Sequence, residues 1–289
     1  MLKIFKRYFI YSVLFVLIRR FRNLSLQKGR SFFSILIHIL LPFTRKEQHI
    51  ITANLSYTAI HIENERKFFR KVLRNMGYTL FEFIRFAYQD INTTRRQIKV
   101  HGEEKLDKAL NRGKGVILIT GHIGNWELLA AYFRSRGIKA NAIYRRPVSE
   151  YNDRLIRKLR QKNGINLIDN SNALKGSLER LRKGEVLIIL ADQKPKQDSL
   201  KIDFLGRPAD TPRGPAVFAL KSKAALVTGF VVRKGKTFDL YLDNIKIPEK
   251  GGLKKKIEGI LIAMNGKYSD IIRKYPDQWV WFHDRWGLF

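Results

Sequence analysis

Short apolar runs alternate with helical stretches between residues 115 and 191, and this alternation limits the chain to few folds. The runs read as buried strands and are "GVILIT" (115–120), "ANAIYR" (140–145) and "EVLIILA" (185–191). The helical stretches between them cover 125–136, 150–163 and 171–183. A helical crossover returns the chain to the same end of a sheet, so these strands are expected to pair in parallel with right-handed connections.

The remaining patterns complete an α/β architecture. Apolar runs at 225–233 and 237–247 are separated only by "KGK", which predicts an antiparallel hairpin, and a helix is expected near 254–274. Residues 1 to about 95 read as helical throughout. The predicted fold class is therefore α/β, with a central mixed, largely parallel sheet flanked by helices and an N-terminal helical membrane-associated region.

The N-terminal region contains two short apolar runs, 8–18 and 32–43, with lysines and arginines at their edges. A helix that spans a bilayer needs about 20 apolar residues, and both runs are well short of that length. Basic flanks around short apolar helices favour segments that lie in the membrane interface, although two ordinary buried helices are the alternative. We therefore divide the chain into membrane-associated helices (1–45) and an α/β domain with a helical lead-in to about 95 (46–289).

The charge balance indicates an anionic partner. The chain has 56 Lys plus Arg against 25 Asp plus Glu, a formal net charge of +31. This excess of positive charge would be balanced by nucleic acid, an anionic membrane surface, an acidic protein or a phosphorylated substrate. The basic residues are spread along the chain and not concentrated on one groove-fitting element, so a nucleic-acid-binding module is a remote alternative. The chain has no cysteine, which excludes disulfides, a thiolate nucleophile and cysteine-ligated metal sites.

The strand-to-helix corner "GHIGNWELLAAYF" (121–133) contains the strongest candidate for chemistry. His122 follows a predicted parallel strand, at the edge where open α/β sheets place their ligands. If the helix begins near Gly124, Glu127 falls in its first turn, and its carboxylate can orient the imidazole as a general base. Gly121 and Gly124 allow a tight turn, and Asn125 is a further candidate for substrate contact. A buried structural histidine is the alternative interpretation.

These residues resemble a known family. The spacing H-x-x-x-x-E in "GHIGNWE" is similar to that of the lipid A biosynthesis acyltransferases, within the wider lysophospholipid acyltransferase-like superfamily. Further blocks match in order, and they are "ANL" (53–55), "YRRP" (144–147), "LIILADQ" (187–193), "DFLGRPADTPRGPAVFAL" (203–220) and "WFHDRW" (281–286). The resemblance covers most of residues 50 to 286 and implies an enzyme that transfers acyl groups other than amino-acyl groups.

The matching blocks add candidate residues around the corner. Arg145 and Arg146 follow a strand and suit recognition of phosphate or carboxylate, with a solvated charged pair as the alternative. Asp192 and Gln193 end the next strand and are expected to be polar positioners near the pocket, or else a turn cap. The block 203–220 reads as a Gly- and Pro-punctuated loop that could cover the site, where Arg207 and Arg213 are candidates to contact anionic substrate.

The resemblance also implies the reaction and its partners. The donor would be acyl carrier protein or acyl-CoA, and the acceptor a hydroxyl of a lipid A precursor. Another membrane lipid, a glycolipid or a lysophospholipid, is the alternative acceptor. His122 would be the general base and Glu127 its partner, with no cofactor, no metal and no nucleic acid involved. The enzyme would act at the inner (cytoplasmic) membrane, with its active site on or near the cytoplasmic face and anionic headgroups drawn to its positive surface.

Overall fold

The computed structural model describes residues 12–13, 15–58, 60–144 and 150–289, with the side chains of all these except 151 and 152. The described N-terminal part is helical at 12–13 and 15–21, and four named helices follow. These are α1 (Leu26–Leu40), α2 (Arg45–Tyr57), α3 (Glu65–Phe86) and α4 (Ile91–Arg96). The prediction of a helical region up to about residue 95 is confirmed for these residues.

A mixed sheet forms the centre of the molecule. The described strands are β1 (Ile98–His101), β2 (Val116–Thr120), β3 (Ala140–Tyr144), β4 (Ile165–Asp169), β5 (Val186–Leu190), β6 (Ser199–Phe204), β7 (Arg207–Pro212), β8 (Ala225–Lys234) and β9 (Thr237–Ile245). Seven of them form one sheet in the order β1-β9-β8-β2-β5-β3-β4. Its pairs are parallel except β8–β9, which is the expected antiparallel hairpin. The predicted α/β class and largely parallel sheet are confirmed.

Helices cover both faces of this sheet. They are α5 (Glu103–Leu110), α6 (Leu128–Ser135), α7 (Glu150–Lys162), α8 (Ala173–Arg182), α9 (Gly214–Ser222) and α10 (Leu253–Lys274). All five residues of β2 are buried, and successive side chains point to opposite faces. Ile117 packs in the cluster that contains Leu261 of α10, whereas Leu118 packs in the cluster that contains Leu129 of α6. A strand buried on both faces explains the continuous apolar run that marks it in the sequence.

Three parts of the sequence-based assignment need correction. β1 and β4 were not predicted, because both are short and carry polar residues among their apolar ones. The block 203–220 is not a loop: β6 and β7 form an antiparallel hairpin, and α9 follows it. Buried Ile202 and Phe204 alternate with exposed residues in β6, which is the period of a half-buried strand. The prolines and glycines of this block hid that alternation.

The N-terminal helix α1 packs along α3 and leaves an apolar face uncovered. Phe33 is buried toward α3, whereas Phe32, Ile35 and Ile39 are exposed at 43%, 64% and 62%. Much of the apolar run 8–18 lies outside the described residues. Within the described part of the chain, no helix combines the length and the apolar character that a bilayer crossing requires. The predicted interfacial position of this region stays a prediction.

Candidate active site

The corner between β2 and α6 holds His122 in a narrow backbone path. Gly124 has φ +58°, and a Cβ there would lie 1.8 Å from the carbonyl oxygen of Val231. A Cβ at Gly121 would lie 2.9 Å from the Asp192 side chain. Contacts this close exclude any side chain, so both glycines are needed for the backbone to pass here, as the sequence predicted. The helix itself begins later than expected, at Leu128.

Asp192 is the carboxylate that pairs with His122. The His122 Nδ1 atom lies 2.9 Å from Asp192 Oδ1, and the His122 amide donates to Asp192 Oδ2 at 2.7 Å. Trp279 Nε1 donates to the same Oδ2 atom at 2.9 Å. Because an ionised carboxylate only accepts, Nδ1 carries the proton and Nε2 is left as the acceptor. The imidazole retains 24% exposure, so Nε2 faces a reachable space, whereas Asp192 is completely buried.

Strand register explains this pairing. β2 and β5 are parallel neighbours in which Thr120 is opposite Leu190. His122 and Asp192 each lie two residues beyond that pair, so the two side chains leave the same edge of the sheet at equivalent positions. The two residues are 70 positions apart in sequence, and the neighbouring strands bring them together.

The predicted pairing of Glu127 with His122 is wrong. Glu127 is the residue just before α6, and its carboxylate pairs with Arg160 of α7 at 2.7 Å. No hydrogen bond joins Glu127 to His122 among the described contacts, although its charge acts on the imidazole. The corner therefore contains two carboxylates with different partners, one on the imidazole and one on a guanidinium.

The charges around His122 set its protonation. Burial lowers the pKa of His122, but the charge and hydrogen bond of Asp192 and the charge of Glu127 together raise it above its ordinary value. Burial would raise the pKa of Asp192, but the charge of His122 and the hydrogen bonds from His122 and Trp279 lower it. Asp192 is therefore ionised at neutral pH, and His122 is a stronger base than a free histidine.

A buried polar network beneath the corner fixes its backbone. The Asn125 amide donates to Glu82 of α3 at 2.9 Å, and its oxygen accepts from the Leu128 amide. Glu82 is fully buried and also pairs with Arg233 of β8 and Arg30 of α1. Asn125 is itself completely buried with these protein partners, so it holds the corner and does not face a substrate. This corrects its predicted role in substrate contact.

The carbonyl of Gly124 is held by the same network. It accepts hydrogen bonds from Thr79 of α3 at 2.8 Å and from Arg233 at 2.9 Å. A carbonyl fixed by two donors keeps the turn that presents His122 in one conformation.

A mostly apolar cavity of about 310 Å³ adjoins the corner that holds the imidazole. Trp126 separates the two, because its ring lies 5.0 Å from the His122 ring and also lines the cavity. The walls come from α6 and from the sheet strands β3, β4 and β5, whereas Glu127 and Arg160 supply its charged groups. The apolar lining residues are Ala130, Ala142, Ile143, Ile165, Ile188, Ile189 and Leu190. An apolar cavity with a few polar groups beside a base suits a substrate with a hydrocarbon part.

The other predicted residues lie at different distances from this centre. Gln193 is half-buried next to Asp192. Arg207 donates from Nε to the carbonyl of Tyr57 at 2.6 Å, and Arg213 pairs with Asp198 at 2.9 Å. Both arginines border the β6–β7 hairpin, and their contact with substrate stays a prediction. Arg145 and Arg146 lie outside the described residues. In the described part of the chain, no three His, Cys, Asp or Glu side chains converge as metal ligands would.

Several residues with contacts at this site were not singled out from the sequence. Arg160 belongs to a predicted helix and carries no local signal beyond its charge. Trp279 lies near the end of the chain, where its indole reaches Asp192 from a segment bridged to Ile123. Glu82 is completely buried, which is rare for a glutamate and which its place in a helix does not signal. Asp192, in contrast, was named from the sequence as a polar positioner, and it follows β5 at the same offset as His122 follows β2.

Comparison with known proteins places the chain among acyltransferases. The model of the family described as bacterial lipid A biosynthesis acyltransferase matches residues 2–287. The phosphatidylinositol mannoside acyltransferase of Mycobacterium tuberculosis is 24% identical over 231 residues, covering 74% of this chain and 68% of that protein. The lipid A biosynthesis palmitoleoyltransferase of Escherichia coli is 25% identical over 252 residues, covering 84% and 80%. The lipid A biosynthesis acyltransferase of Haemophilus influenzae is 24% identical over 242 residues, covering 82% and 74%.

Proposed function

The chain belongs to the bacterial lipid A biosynthesis acyltransferase family, and from this premise we propose its reaction. It moves a fatty acyl chain from acyl carrier protein or acyl-CoA to a hydroxyl of a lipid A precursor. His122 is the general base, and Asp192 orients it. The observation that carries this proposal is the His122–Asp192 pair at 2.9 Å, next to Trp126, which also lines an apolar cavity.

The proton path follows from the tautomer. The acceptor hydroxyl gives its proton to His122 Nε2 as its oxygen attacks the thioester carbonyl carbon. Asp192 stays ionised and stabilises the imidazolium that forms. The tetrahedral intermediate then collapses, the carbon–sulfur bond breaks, and His122 returns the proton to the leaving thiolate. The ester product and the free thiol account for every atom of the two substrates.

The remaining charged groups bind and orient the substrates in this proposal. The Glu127–Arg160 pair lies at the cavity and positions the acyl group near the base. Arg145 and Arg146 recognise acceptor phosphates, since the planar guanidinium matches phosphate oxygens. The cavity walls hold the hydrocarbon chain of the donor. The charge of +31 suits an acidic carrier protein and an anionic membrane surface.

The proposal also assigns a place in the cell and a division of the chain. Residues 1–45 hold the enzyme at the inner membrane from its cytoplasmic side, where the exposed apolar face of α1 contacts lipid. Residues 46–289 form the acyltransferase domain. Deletion of residues 1–22 should loosen the protein from membranes, and high salt should do so in part, since salt screens surface attraction.

A transfer assay with the purified full chain tests the reaction. Acyl carrier protein thioester and acyl-CoA are offered in turn as donors to a lipid A precursor, and mass spectrometry measures the acylated product. His122→Ala should lower the rate by roughly 10²–10⁴. His61→Ala removes an exposed histidine away from the corner and is the matched control. A folded His122→Ala protein with the wild-type rate would sink the mechanism.

A second acceptor class is favoured by one comparison. The match to a phosphatidylinositol mannoside acyltransferase supports a phosphoglycolipid acceptor in place of a lipid A precursor. The same assay distinguishes the two when both acceptors, together with a lysophospholipid, are offered at equal concentration. Preferential acylation of the mannoside would replace the lipid A assignment and leave the catalytic pair unchanged.

A further inference from the structure

A cationic groove lies between α1 and α3, away from the His122 corner. Its volume is about 510 Å³, and α3 lines it with four cations at positions i, i+3, i+4 and i+7. These residues share one helix face. The opposite wall comes from α1 and includes Ser34 and His38. The four cations are Lys67, Arg70, Lys71 and Arg74.

Within the residues that the structure describes, none of these cations has a carboxylate partner. Near the His122 corner, in contrast, Arg160 pairs with Glu127 and Arg233 pairs with Glu82. In the described residues, no ion pair within 4.0 Å involves any of the four groove cations. The Nε atoms of Arg70 and Arg74 are buried without a hydrogen-bond partner. Like charges three or four positions apart on a helix repel each other, so four unbalanced cations on one groove favour an anion from outside.

The groove adjoins an apolar face on the same helix. Residues 34, 37 and 38 of α1 line the groove. Ile35 and Ile39, which directly follow Ser34 and His38 in the sequence, are exposed. Phe43 just beyond α1 is 81% exposed. A cationic cleft beside an exposed apolar ridge is complementary to a lipid surface, where phosphate and hydrocarbon lie next to each other.

We propose that the α1–α3 groove binds the phosphate of an anionic phospholipid head group at the membrane surface. The forks of Arg70 and Arg74 donate to the phosphate oxygens, and Lys67 and Lys71 add charge at its rim. The exposed face of α1 then rests among the acyl chains. The site is independent of acyl transfer, because none of its residues lines the cavity beside His122.

Vesicle co-sedimentation of the full chain tests this site. Wild-type protein is compared on phosphatidylcholine vesicles and on vesicles that also contain phosphatidylglycerol. A basic residue near an anionic surface contributes about 1 kcal/mol, which is roughly fivefold in affinity. Arg70→Gln/Arg74→Gln should therefore weaken binding to the anionic vesicles by about 25-fold. The matched control is Lys254→Gln/Lys255→Gln, which removes two exposed cations from α10.

The comparison separates a site from general attraction. We expect the control to lose less than about threefold, because salt screens charges more than about 10 Å from the surface. If the arginine variant fails to fold, Lys67→Gln/Lys71→Gln replaces it in the assay, because Lys67 is exposed and Lys71 is half-buried. Equal losses in groove and control variants overturn the proposal. The proposal is also overturned if a groove variant keeps vesicle binding but loses binding to an acidic acyl carrier protein. His122→Ala must bind vesicles as the wild type does, which keeps this result separate from the reaction.

Discussion

Replacing Asp192 with asparagine tests its proposed role in orienting His122 as the general base. The carboxylate accepts from the His122 amide, from Trp279 Nε1 and from His122 Nδ1 at 2.7 to 2.9 Å. Two of these donors share Oδ2, so the oxygen of the new amide would stay there. The NH₂ group would then face His122 Nδ1 and donate to it. The imidazole must take the other tautomer, with its proton on Nε2, and that atom can no longer accept from a hydroxyl.

The expected loss is large because the tautomer and the charge both change. Loss of a general base costs roughly 10²–10⁴ in rate, and the same substitution behind the histidine of a serine protease triad costs about 10⁴. We therefore expect Asp192→Asn to lower kcat toward the upper part of that range. The side chain keeps its shape in a fully buried position, so secondary structure should be retained.

The assay is acyl transfer at saturating donor and acceptor, followed across pH, with circular dichroism to verify folding. Asp270→Asn changes an exposed aspartate on α10 and is the matched control. A folded Asp192→Asn protein with the wild-type rate and pH profile would refute the orienting role of Asp192. A raised KM with an unchanged kcat would also contradict this role, because the tautomer acts on the chemical step.

Four further outcomes follow from the same geometry. The rate of wild-type transfer should rise with pH through an apparent pKa above about 6.5, because only neutral His122 accepts a proton and its pKa is raised. A rate that rises through an apparent pKa below about 6.5 would contradict this. The His122–Asp192 ion pair should stabilise the fold most between about pH 4 and 6.5, which urea unfolding across pH measures. Below this window the contribution is lost because Asp192 protonates, and above it the contribution is lost because His122 gives up its proton. Glu127→Gln should lower transfer less than Asp192→Asn, because it weakens the pair with Arg160 and leaves the imidazole oriented; equal losses in the rate assay would return Glu127 to the imidazole. Glu82→Gln should cost about 3 kcal/mol or more in urea unfolding, because it leaves buried arginines uncompensated, whereas a loss under 1 kcal/mol would count against the network.

The sequence predicted the sheet well because its central strands are buried on both faces. An apolar run such as 115–120 has few alternatives to a strand, and the helices between such runs require parallel pairing. The position of His122 at the carboxyl edge followed from this logic alone. β1 and β4 lie at the two ends of the sheet, where burial is partial and the apolar signal is correspondingly weak.

The sequence did not predict which carboxylate faces the histidine. Glu127 is near His122 along the chain, but its backbone position before α6 directs it toward Arg160. Asp192 is distant in sequence, and its contact depends on β5 being the neighbour of β2, which is a matter of strand order. Local spacing therefore pointed to His122 and missed the carboxylate that pairs with it.

The contact between Arg30 and Glu82 has a consequence for preparing the protein in shortened form. Arg30 belongs to the outer helix α1, and Glu82 holds Asn125 of the His122 corner. Cutting the chain after Leu40 to improve solubility would remove one of the two cations on a fully buried carboxylate. It would also uncover Phe81, which is fully buried in the intact chain. A truncated enzyme that is more soluble would then be less active for a reason unrelated to membranes, and detergent or lipid would not restore it.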